Sequence, residues 1–143
     1  MTIRVKDLMR KDVVTVNADD NIISVAKTMK NKSVGYAIVL KDGKPIGIVT
    51  ERDITWKIVA ENLNPQQVAV STIASYPIIF VDPDSDLSLA ADLMERHNIR
   101  RLPVIKDNTL YGIITATDIV KHFNQYVKKA ILEVIHYTIP GVL

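Results

Sequence analysis

Apolar positions along the chain change their period in a fixed order, and the order occurs twice. The β-branched run Val13-Val14-Thr15-Val16 suits a strand. Behind the polar Asp19-Asp20-Asn21, apolar residues fall at Ile22, Val25, Ala26 and Met29, the spacing of a helix with one buried face. Two further runs, Tyr36-Ala37-Ile38-Val39-Leu40 and Ile46-Gly47-Ile48-Val49, flank Lys41-Asp42-Gly43-Lys44-Pro45, and Asp-Gly between apolar runs is hairpin chemistry. A last helix is predicted from Thr50. The second series runs Ile78-Ile79-Phe80-Val81, then Leu87, Ala90, Ala91 and Met94 behind Asp84-Ser85-Asp86. It continues with Leu102-Pro103-Val104-Ile105 and Tyr111-Gly112-Ile113-Ile114 around Lys106-Asp107-Asn108-Thr109, and closes with a helix from Thr115.

Shifting the chain by 65 places lays residues 14–54 over 79–119 without a gap, and twelve of those 41 positions are identical. Ordinary residue frequencies would give roughly three. The matches include Val16 with Val81, Met29 with Met94, and Gly47-Ile48-x-Thr50-x-x-Asp53-Ile54 with Gly112-Ile113-x-Thr115-x-x-Asp118-Ile119. One β-α-β-β-α copy of about 50 residues is too small to cover both faces of its own sheet. The prediction is therefore an α+β fold of two repeats packed sheet to sheet about a pseudo-twofold axis. The first repeat is assigned to residues 1–66, the second to 67–124, and a helical extension to 125–143. Residues 60–67 read as a connector in which Asn64 caps a helical turn that Pro65 begins. In the extension, Phe123, Val127, Ile131 and Val134 or Ile135 keep helical spacing until Pro140-Gly141. Such a stripe needs burial, and a homodimer would supply it.

Composition narrows the function classes. With 48% apolar and 24% charged residues among 143, the chain can bury a core without staples, and it contains no cysteine, which fits a reducing compartment. Eighteen basic against sixteen acidic side chains leave a net charge of +2, scattered along the sequence. The broad positive field that nucleic-acid binding relies on is missing. No apolar stretch approaches the span of about 20 residues that a bilayer requires, and the first residues form no apolar signal core. The expectation is a soluble cytoplasmic protein with no membrane partner.

Candidate chemistry concentrates at the two strand-to-helix corners. Thr50 and Asp53, like Thr115 and Asp118, have the spacing of a capping box, in which hydroxyl and carboxylate satisfy orphan N–H groups of the first turn. The same corner could seat an anion at the helix start, present a carboxylate to the vicinal hydroxyls of a ribose, and let a ligand approach the backbone at Gly47 or Gly112. Elsewhere the sequence offers little. Asp82-Pro83-Asp84-Ser85-Asp86 begins like a calcium loop but has Leu87 where glycine is needed and Leu93 where glutamate is needed. His97, His122 and His136 have no partner histidine at helical spacing. No nucleophile elbow or Walker loop occurs, so no catalytic or metal-binding residue is assigned and the chain is not expected to be an enzyme. Trp56, Ile58 and Val59 read as core or interface.

The duplicated Gly-Ile-x-Thr-x-x-Asp segments, His97-Asn98-Ile99-Arg100-Arg101-Leu102-Pro103-Val104, and the opening Val5-x-x-Leu8-Met9 together make the chain resemble the CBS (cystathionine-β-synthase-type) domain family, whose members occur in tandem pairs. The resemblance covers nearly everything from Val5 to Phe123. It implies a regulatory module that binds an adenosine derivative (AMP, ADP, ATP or S-adenosylmethionine) in clefts between the copies and modulates a partner protein. A ligand-free dimerisation or scaffolding module is the alternative. The resemblance implies two sites. The first would use Thr50, Arg52 and Asp53, with Tyr36 and Ala37 as purine contacts and Ile78, Ile79 and Phe80 as a wall. The second would use Thr115, Thr117 and Asp118, with Arg100, Arg101 and Leu102 and a wall from Val13, Val14 and Thr15. Gly35 matches Arg100 in position, so the two sites should differ in affinity or in preferred phosphate number.

Overall fold

The computed structural model describes the backbone of residues 2–138 and the side-chain surroundings of residues 2–135. The end of the last helix at Pro140-Gly141 and the side chain of His136 lie outside the described residues. In the first repeat α1 (Val5–Leu8) is followed by β1 (Thr15–Asn17), α2 (Ile22–Lys32), β2 (Tyr36–Lys41), β3 (Lys44–Thr50) and α3 (Glu51–Ile54). A π-helical turn, Thr55–Val59, prolongs α3. The second repeat has a 3-10 turn (Val70–Thr72), α4 (Leu87–His97), β4 (Arg101–Lys106), β5 (Thr109–Thr115) and α5 (Ala116–Thr138). Small details recur at the 65-residue offset. Ser33 and Asn98 end α2 and α4 in the left-handed conformation, and both hairpins turn through left-handed residues at Asp42-Gly43 and Asp107-Asn108. The register slips at Val39/Leu40 and again at Val104/Ile105.

Proline accounts for one difference between the copies. β1 runs parallel to β2, and the Ile38 amide donates to the Val14 carbonyl at 2.9 Å. The residue equivalent to Ile38 is Pro103, which has no N–H to give. The strand expected at residues 78–81 accordingly shrinks to one parallel bridge, Val81 to Val104. The connector differs from expectation too: the Asn64 side chain accepts from the Gln66 amide at 3.0 Å and closes a turn, not a helix.

The opening segment of each repeat docks on the other repeat. Arg4 bridges Asp86 and Arg10 bridges Ile113, while at the equivalent positions Ala69 bridges Asn21 and Ser75 bridges Ile48. Side chains follow the backbone: Val5, Leu8 and Met9 pack with Ala90, Leu102 and Ile114 of the second core. Val70, Ile73 and Ala74 are buried in the first core, as is Ile113 of β5. β3 and β5 lie against each other and join the two sheets. Both glycines of the repeated motif exist for these crossings. A Cβ on Gly47 would come within 2.7 Å of the Ser75 carbonyl oxygen, and one on Gly112 within 2.5 Å of that of Arg10. Their lack of a side chain admits the other repeat's arm, not a ligand as the sequence suggested.

Candidate functional site

At the first corner β3 ends on Thr50, which caps α3 in extended conformation. The Asp53 amide donates to Thr50 Oγ1 at 3.4 Å, and Asp53 Oδ2 accepts from the Thr50 amide at 2.9 Å and its hydroxyl at 3.1 Å. The capping box thus consumes one carboxylate oxygen. The other, Oδ1, lies 3.0 Å from Lys57 Nζ one turn along, and that ammonium also donates to the Ile73 carbonyl at 2.8 Å. The amide at the start of α3, on Glu51, already donates to the Gly35 carbonyl at 3.0 Å. With α3 only four residues long, the helix-end seat for an anion that the sequence suggested is not formed here.

Beside this corner lies a cleft of about 650 Å³, inside the range of small-molecule sites. Thr50, Glu51, Arg52 and Asp53 form one side of it. The second repeat supplies the other: Ser75, Pro77 and Ile79 from the arm and its continuation, and the segment from Asn98 to Arg101 with Pro103. Three arginines, Arg52, Arg100 and Arg101, therefore line the cleft together with two acidic residues, Glu51 and Asp53, and the apolar Ile48, Pro77 and Ile79. Among the described residues none of the three arginines is in a salt bridge. Arg52 Cζ lies 5.1 Å from the Trp56 ring centre and Arg101 Cζ 5.4 Å from that of Tyr36, cation–π contacts that involve no acidic partner.

The second corner repeats the capping box and differs in everything around it. Asp118 Oδ2 accepts from the Thr115 amide at 3.2 Å, and the Asp118 amide donates to Thr115 Oγ1 at 3.1 Å. Asp118 Oδ1 accepts from Arg10 twice, from Nε at 3.0 Å and Nη2 at 2.8 Å. Burial pushes the Asp118 carboxyl upward, but hydrogen bonds from Arg10 and Thr115 outweigh it and hold the group below its ordinary range. The same contact raises Arg10 above its usual value. Burial raises the Tyr36 hydroxyl, offset in part by the Val14 backbone and by the charges of Arg101 and Arg10.

Several residues stand elsewhere than the sequence suggested. Arg100 and Arg101, assigned to the second site, line the first cleft, because the pseudo-twofold sets the start of β4 opposite the first corner. Tyr36, assigned to the first site, is buried beside Arg10 and Val14 on the side of the second. Ala37 and Leu102 are fully buried, each in the core of its own repeat. Of the expected first wall, Ile79 lines the cleft, Ile78 packs on the first core and Phe80 is exposed. Val13 and Val14 pack on the first core, and Thr15 and Thr117 are exposed. Sequence reasoning missed Arg10, Lys57, Ser75 and Pro77. Their signal lies in the 65-residue offset, which makes Arg10 and Ser75 equivalent, once the arms are known to cross. Among the described residues no cluster of His, Asp or Glu could hold a metal ion, and no helix is long and apolar enough to cross a membrane.

Comparison with known proteins agrees with this architecture. An uncharacterized protein of Methanopyrus kandleri is 35% identical over 122 residues, 84% of this chain, which spans 62% of that protein's length. Hypoxic response protein 1 of Mycobacterium tuberculosis is 30% identical over 85% of both chains. Among solved structures, the CBS domain pair of the protein MJ0100, in complex with 5'-methylthioadenosine and S-adenosyl-L-methionine, superposes with a TM-score of 0.79. It is 26% identical, and the match covers 88% of this chain and 99% of that one. The CBS domain model itself matches residues 5–60 and 70–125, the two stretches that fold here as exchanged repeats, and the chain belongs to the CBS domain family as a tandem pair.

Proposed function

We propose that the chain is a regulatory sensor that takes up an adenosine derivative (AMP, ADP, ATP or S-adenosylmethionine) in the cleft beside Asp53 and passes its occupancy to a partner protein. One observation carries the reading: a cleft of ligand size in which a carboxylate, an apolar wall and three arginines free of salt bridges among the described residues converge from both repeats. In this reading Asp53 Oδ1 accepts the ribose hydroxyls once the half-exposed Lys57 gives up its ion pair, keeping its bond to the Ile73 carbonyl. Arg52, Arg100 and Arg101 hold the phosphates or the ligand's carboxylate, and Ile79 and Pro77 face the purine. The MJ0100 pair, whose complex contains two adenosine compounds, supports the ligand class. No chemical step is required. A ligand spanning both repeats biases their arrangement by its differential affinity, about 1–3 kcal/mol in typical allosteric coupling.

The test is a thermal-shift panel of AMP, ADP, ATP, GTP and S-adenosylmethionine on the protein and on Asp53→Ala. A ligand at about 100 times its dissociation constant adds about 2.7 kcal/mol, a rise of roughly 5 to 10 °C for a chain of this length. Asp53→Ala should abolish the rise. No shift with any adenosine compound would leave assembly as the function. That second reading draws on α5, where Val120, Phe123, Val127, Ile131 and Val134 are exposed at helical spacing. Under both readings α5 pairs two copies into a homodimer, and a monomeric solution mass would end that part.

A further inference from the structure

The two corners carry the same capping box, yet the arm crossing over each brings a different residue to the carboxylate. At the second corner Arg10 delivers two N–H bonds to Asp118 Oδ1, the oxygen that the capping box leaves open. At the first corner the equivalent residue is Ser75, which lines the cleft beside Asp53. The Arg10 side chain is not placed there by chance of a long rotamer. Its backbone is pinned by two bonds with Ile113, from N to O at 2.8 Å and from Ile113 N to Arg10 O at 2.9 Å, over the face that Gly112 leaves bare.

We propose that Arg10 is the specificity-determining residue that confines adenosine-ligand binding to the Asp53 cleft, by occupying at Asp118 the oxygen a ribose would need. The inference rests on the nucleotide reading of the first cleft. The energetic logic is a competition. A ribose at Asp118 must displace a forked cation that puts two N–H groups on the one oxygen the capping box leaves open. At Asp53 it must displace Lys57, an ammonium that gives Oδ1 one contact and can keep its other bond, to the Ile73 carbonyl, when it swings away. The neighbours add to the contrast, since the first repeat has Gly35 and Tyr36 at the positions equivalent to Arg100 and Arg101, and the second corner has Thr117 at the position equivalent to Arg52. Ligand strength and ligand access are thus set by different residues, the arginine pair and Arg10 respectively.

Isothermal titration with ATP, and separately with S-adenosylmethionine, tests the assignment on the full chain. The protein should bind one molecule per chain, Arg10→Ser two, and Arg10→Ser with Asp118→Ala one again. Because the arm docks through its backbone, Arg10→Ser reproduces what Ser75 already does at the first corner; Arg10→Met, which keeps the stem, guards against a folding defect and should behave alike. The converse change, Ser75→Arg, should weaken binding at the Asp53 cleft roughly tenfold or more. A stoichiometry of two without mutation, of one in both Arg10 variants, or a loss of affinity in those variants would overturn the role of Arg10 while leaving the first cleft a nucleotide site. Absence of binding in every variant would instead overturn the nucleotide reading, and this assignment with it.

Discussion

The corners at Thr50–Asp53 and Thr115–Asp118 are the same in sequence motif and in capping geometry, and different in chemistry. One opens on a cleft lined by three arginines; at the other the carboxylate is held in an ion pair with Arg10. The difference teaches that a duplicated motif supplies a scaffold, while the residues that decide what the scaffold does arrive across the pseudo-twofold from outside it. Ser75, Arg100 and Arg101 reach the first corner from the second repeat, and Arg10 reaches the second corner from the first.

The comparison can be broken hardest at the arms. Ile73 is buried in the first core, whereas its counterpart Leu8 is only partly buried against the second. Ile73→Ala should cost about 2–5 kcal/mol in urea unfolding, and Leu8→Ala clearly less; equal losses would mean that the arms anchor alike. Next come the crossings, where Gly47→Ala and Gly112→Ala each push a methyl onto a backbone carbonyl of the opposite arm. Each should cost about 1–3 kcal/mol by the same measurement, and a neutral result would show that the arm can step aside.

Smaller effects sharpen the contrast at the carboxylates. Asp118→Asn should destabilise by about 1 kcal/mol through the cap and the Arg10 pair. The sign with pH follows from the lowered folded pKa of Asp118. Its contribution is complete above the unfolded carboxylate value of about 3.9 and is lost as pH falls through the lower folded value. The gap between the protein and Asp118→Asn should therefore hold at neutral pH and close below about pH 4. A gap that persists in strong acid would assign the loss to packing. Arg10→Ser should be the mildest, within about 1 kcal/mol, because the Arg10 side chain is 56% exposed and salt-screened.

Much of this architecture is legible in the sequence, because strand and helix periods, hairpin residues and capping boxes are local and each occurs twice. The register slips and the left-handed caps recur at the same offset, although only the structure reveals them. The arm crossing is not legible. It is made of single-residue bridges such as Ser75 to Ile48, which leave no periodicity to read. Missing it, sequence reasoning assigns Arg100 and Arg101 to the corner nearest in the chain, although both line the first cleft; at the nearer corner the Arg100 carbonyl accepts from Ala116 at 2.8 Å and Arg101 pairs with Thr115 along the strand. The same blindness gives Gly47 and Gly112 to a ligand when they belong to the opposing arm. Pro103, by contrast, was readable: a proline where its counterpart donates an N–H announces the lost strand pairing.

The crossed arms also bear on what counts as one folding unit. Severing the chain between residues 60 and 67 would leave each fragment carrying the plug for the other's socket, Val5 for the second core and Val70 for the first, both wholly enclosed in the intact protein. Neither half could close its own interior, and mixing them should restore both. The tandem chain is in this sense a covalently tethered swapped dimer.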